Sequence, residues 1–91
     1  MITVQPIDKN TFRVTVEGRT TTTHTVTLSS AYYEKLTGKR VAPEMLVEKS
    51  FEFLLQREGN TSILSSFELP VISRYFPEYE KTVGKMLAAS G

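Results

Sequence analysis

The residues of this sequence that could do chemistry are few. His24 is its single histidine and Asp8 its single aspartate, and cysteine is absent. As a general base, His24 needs an orienting acceptor and a nucleophile within hydrogen-bond reach. Only Asp8, Ser29 and the surrounding threonines are candidates, and no nucleophile-elbow spacing accompanies them. In phase with Thr22 and Val26, His24 reads instead as a partly exposed sheet histidine. One imidazole without thiolates falls short of the three or four ligands zinc takes. Neither an alternating acidic calcium loop nor a glycine-rich phosphate cradle is present. Glu44, Glu48 and Glu52 stand four apart along one side of a helix, where acid–base work requires burial to drive pKa values apart. With Lys49 and Gln56 alongside, the row reads as a solvated face. No catalytic residue, metal or cofactor is expected.

Binding residues are better supplied. Lys39-Arg40 is the only adjacent basic pair, and with Lys9, Arg13 and Arg19 it supplies a modest anion patch if the fold gathers them. Tyr32 and Tyr33 are neighbours on a predicted helix, so their side chains diverge by about 100° and cannot both be fully buried. One of them is therefore an interface candidate. Tyr75-Phe76-Pro77 reads as the packing of two helices at a break.

These residues must be positioned by two unlike halves. Over residues 1–28, Ile2 and Val4, then Phe12, Val14 and Val16, alternate with polar residues, the period of half-buried strands. Asp8-Lys9-Asn10 and Gly18 provide turns, and the threonine-rich run to Leu28 provides a third strand. The pattern predicts a three-stranded antiparallel meander. Helices follow over 30–37, 43–57, 70–76 and 77–88, punctuated by Gly38, Pro43, Gly59 and Pro77. Residues 60–67 read as a loop with a short helical turn, and the Ala88-to-Gly91 tail as frayed. In helix 43–57, Leu46, Val47, Phe51, Phe53, Leu54 and Leu55 spread over roughly 200° of the circumference. That helix is either the centre of the core or a dimer seam, and Phe51, Leu54 and Leu55 are its candidate interface residues.

Ninety-one residues make one α+β domain. Eleven basic against ten acidic side chains leave a formal charge of +1, which draws the chain to neither nucleic acid nor membrane. The start Met1-Ile2-Thr3-Val4-Gln5 lacks a basic, then apolar, secretory signal, and no apolar run approaches the ~18–20 residues of a membrane span. The cytoplasm is the expected compartment.

Residues 24–57 resemble a ribbon-helix-helix module: a strand ending Thr25-Val26-Thr27-Leu28, a capped helix, a glycine-containing turn and a more apolar helix. The resemblance implies a dimer that lays a two-stranded ribbon in the DNA major groove. Thr23, Thr25 and Thr27 would face the groove, Lys39 and Arg40 would add cationic contacts, and helix 43–57 would form the seam. The strand departs from that pattern, carrying threonine in place of Lys, Arg, Asn or Gln, and a hairpin precedes it. A broader stretch, from Ser50-Phe51-Glu52-Phe53-Leu54-Leu55 through Asn60-Thr61-Ser62-Ile63-Leu64 to Ile72-Ser73-Arg74-Tyr75-Phe76-Pro77-Glu78-Tyr79, resembles a group of small uncharacterised bacterial proteins, which implies no activity. The function expected is non-catalytic binding, by self-association as a homodimer or by docking to a protein partner. A DNA-binding regulator is the alternative.

Overall fold

The computed structural model describes residues 1–90. Three antiparallel strands, β1 (Ile2–Asp8), β2 (Thr11–Glu17) and β3 (Thr21–Thr27), form the meander the alternation predicts. Lys9 N–H donates to Asp8 Oδ1 at 2.6 Å in the first turn. The register sets Ile2 opposite Val16, Val4 opposite Val14 and Phe12 opposite Val26, so one face of the sheet is apolar and the other carries threonines. Because side chains alternate with period two, that one register decides the composition of both faces.

Helix α1 (Ser30–Thr37) starts where Ser29 Oγ accepts the Tyr32 N–H at 3.2 Å. It stops at Gly38, whose φ of 61° lets its N–H close on Glu34 O. Helix α2 (Pro43–Leu55) opens on Pro43, whose missing N–H has no partner in a first turn anyway. Its wide apolar face is satisfied within one chain: Leu46, Val47, Phe51 and Phe53 are fully buried, Phe51 against His24 and Phe67, Phe53 against Phe76 and Tyr79. The helix is therefore the central element of the core, between the sheet and helix α4 (Tyr79–Ser90). Tyr79, Val83 and Leu87 bury the stripe of α4 that its periodicity marks.

Three expectations are corrected. The meander is not followed by helices alone, because Ser66–Glu68 forms a fourth strand, β4, parallel to β3 and interleaved among the helices. Three residues with one apolar member are too short to display an alternation. The predicted helix 70–76 is a 3₁₀ turn (Leu69–Val71) followed by a single α turn, α3 (Ile72–Tyr75). It ends as the following proline dictates, with Phe76 extended at φ −132°. The last helix begins at Tyr79 rather than at 77 and runs on through Ala88 and Ala89, while Gly91 lies outside the described residues.

The polar groups inside the core are satisfied. Ser50 Oγ donates to Leu46 O at 2.7 Å, which leaves its lone pairs for the Tyr79 hydroxyl at 2.6 Å. Burial raises the Tyr79 hydroxyl above the ordinary phenol range. Among the described residues no buried side-chain nitrogen or oxygen lacks a partner, and no helix is long and apolar enough to cross a membrane.

Candidate docking site

The groups that sequence alone offers for catalysis are used up or held apart. His24 is only 2% exposed, not partly exposed, because the register sets it opposite Val14 on the apolar face of the sheet, where its ring packs against Phe51, and the segment before β4 closes the edge beside it. Its Nδ1 lies 2.7 Å from Leu64 O, which can only accept, so Nδ1 carries the proton. Nε2 then accepts from the Thr22 hydroxyl at 2.9 Å, and Thr22 Oγ1 in turn accepts from Asn60 Nδ2 at 3.0 Å. This directed chain sews the 60–65 loop to the sheet. Asp8 is exposed and aligns with Thr11 and Thr27, three residues along the sheet from His24, or about 10 Å. Ser29 Oγ is taken up as the N-cap of α1, accepting the Tyr32 N–H. Among the described residues no three His, Asp or Glu side chains come together as metal ligands.

The candidate binding residues separate into different regions. Phe51 and Leu54 are 0% and 4% exposed, inside the core of the single chain, and Leu55 is half-buried against it. Tyr32 and Tyr33 are both half-buried: the Tyr32 hydroxyl donates to Glu80 at 2.8 Å, and that of Tyr33 to Val41 O. Burial and the Glu80 carboxylate push the Tyr32 hydroxyl above the ordinary phenol range. Thr23, Thr25 and Thr27 lie on the open face of the sheet, in cross-strand rows with Thr15, Arg13 and Thr11. Arg13 is the only cation among the strand residues of that face, against Glu17 and Glu68. Lys39 and Arg40 belong to the helix layer on the opposite side, where Lys39 pairs with Glu34 at 3.4 Å. The fold therefore does not gather threonines and cations into one nucleic-acid surface.

Exposed apolar side chains converge elsewhere. A cleft of about 160 Å³ opens between the C-terminal end of α2, the 62–64 loop, β4 and α3. Leu54, Ile63, Phe67 and Ile72 line its interior, and Leu64 and Tyr75 stand on its rim at 48% and 66% exposure. Glu58 is the only charged residue in the lining. Arg57 braces one wall, with its guanidinium carbon 3.7 Å from the Phe53 ring centroid and its Nε donating to Glu78 at 3.1 Å. The Glu78 carboxyl is held below its usual range by its own backbone N–H and by Arg57.

The cleft also adjoins the free edge of the sheet. Thr25 N–H donates to Ser65 O, so residues 65 and 67 face β3 while the backbone groups of Ser66 and Glu68 face outward. The opposite edge, β1, is blunted by Pro6, which lacks an N–H, and by a register shift between Pro6 and Asp8.

Of the interface candidates Phe51, Leu54, Leu55, Tyr32 and Tyr33, Leu54 alone lines this cleft, while Tyr75 and Phe76, read from sequence as helix packing, line it as well. Tyr75 carries a signal in retrospect, since a helix of one turn before Pro77 cannot bury both members of Tyr75-Phe76. Phe76 takes the inward position against Phe53. No family model, curated protein or solved structure matches the chain.

Proposed function

We propose that this chain is a non-catalytic docking domain that takes an apolar side chain of a partner protein into the cleft beneath Leu64 and Tyr75. The observation that carries this reading is the exposure of those two large side chains across a cavity of about 160 Å³. Small-molecule sites start at about 300 Å³, so this cleft fits one protein side chain better than a metabolite. The outward backbone of Ser66 and Glu68 offers an extended partner segment a place to align beside it.

The ribbon-helix-helix alternative draws less support. A ribbon needs an unpaired strand, and β3 has β2 on one side and β4 on the other. A seam needs an uncovered second helix, and the apolar face of α2 is buried within the chain.

The reading is tested by selecting displayed random peptides on the wild-type protein, with counter-selection on a Leu64→Asp/Tyr75→Ser variant. The expected result is a peptide set with a shared apolar anchor that fails to bind the variant. Equal binding to both proteins contradicts the proposal.

A further inference from the structure

A second cleft, of about 430 Å³, lies between α1 and α4 and falls within the roughly 300–1,000 Å³ of small-molecule sites. The two helices are tied at one end, where Glu80 accepts from Tyr32 and pairs with Lys35 at 3.5 Å. One turn further along α4 they part, and Gly84 and Ala88 lie under the gap. Glycine in a helix interior costs roughly 0.5–1 kcal/mol relative to alanine. Close packing often explains that cost, but here a Cβ on Gly84 would meet nothing within 4 Å. The missing side chain leaves space in the cleft.

Leu36, Val41 and Leu87 make the walls apolar. Arg40 is the only charged residue in the lining and forms no ion pair among the described residues, the nearby Glu34 being paired with Lys39. The hydroxyl of Thr37 is already committed to Tyr33 O and Lys39 N–H. An apolar trough with one free guanidinium is complementary to an aliphatic chain bearing one anionic end. We propose that this cleft binds a single-chain aliphatic monocarboxylate, its tail over Gly84 and its carboxylate on Arg40. This site is separate from the docking cleft and does not depend on that reading.

The test is titration of the ¹⁵N-labelled full chain with decanoate, kept below its micelle concentration, and with decanol as the uncharged control. Saturable amide shifts at Gly84, Leu87 and Val41 are expected, with decanol binding at least tenfold more weakly. Arg40→Gln lowers decanoate affinity about tenfold and brings it to the level of decanol. Gly84→Leu fills the trough and removes binding while the protein stays folded by its amide spectrum. The proposal is overturned if decanoate produces no saturable shift, if decanol binds as tightly, or if the shifts fall at Leu64 and Tyr75 instead. Unchanged binding to Gly84→Leu overturns it as well.

Discussion

His24 Nδ1 lies 2.7 Å from Leu64 O, so the buried histidine of β3 holds the loop whose leucine stands on the rim of the docking cleft. The same ring packs 5.3 Å from Phe51, centroid to centroid, which connects that loop to the middle of the core. A residue type that suggested chemistry in the sequence thus acts as a strut. Its hydrogen bonds run in one direction, from Asn60 through Thr22 and His24 to Leu64, and leave no ring nitrogen for a substrate.

His24→Ala removes two hydrogen bonds and strands the Leu64 carbonyl. The expected loss is about 2 kcal/mol, or roughly 10 °C in Tm for a domain of this size. Native-state hydrogen exchange should accelerate first in residues 60–66. A melting temperature equal to wild type would mean that the loop is held without the histidine.

Charge separates core from surface in a second pair of substitutions. Phe51→Asp places a carboxylate at a fully buried site and should leave no cooperative thermal transition. Leu64→Asp should stay within about 0.5 kcal/mol of wild type, as exposed positions do. Urea unfolding reads both, and a folded Phe51→Asp protein would displace α2 from the core.

How much of this was legible in the sequence follows from what each residue reports. Val14, Val16 and Val26 advertise their burial by alternation, and Tyr79, Val83 and Leu87 by helical spacing, because both signals are local. β4 is not local. Its single apolar residue, Phe67, becomes part of a strand only when β3 lies beside it. Alternation puts His24 in phase with the buried Val26, but its full burial depends on Phe51 of α2 and on Leu64 O, both distant in sequence. The breadth of the apolar face on α2 is visible in the sequence, but the choice between core and seam is made by the sheet and α4, which cover it from two sides. Leu64 looks like any loop leucine until the cleft beside it exists.

Alkaline pH should destabilise the fold in a defined window. Burial raises the Tyr79 hydroxyl above its ordinary 10.0, and burial with the Glu80 contact does the same for Tyr32. Between the unfolded and folded pKa values the unfolded chain has lost protons that the native chain keeps, so stability falls as pH rises. The contribution is intact below pH 10 and declines above it. Tm measured from pH 8 to 12 should fall above 10, and Tyr79→Phe should flatten that fall. An unchanged slope in the variant would assign the loss to other groups.

Gly84→Ala should stabilise the chain by roughly 0.5–1 kcal/mol, since it removes a helix-interior glycine and its Cβ enters open space. Differential scanning calorimetry should show Tm rising by a few degrees. A lower Tm would mean that α1 closes onto α4 at this point.

Amide shift mapping with one selected peptide bound shows whether the cleft under Leu64 and Tyr75 receives a protein side chain. Shifts concentrated at Ile63, Leu64, Phe67 and Tyr75 are expected, with the threonine rows of β2 and β3 unmoved. Shifts concentrated on Thr15, Thr23 and Thr25 would place the partner on the open face of the sheet and contradict docking in the cleft.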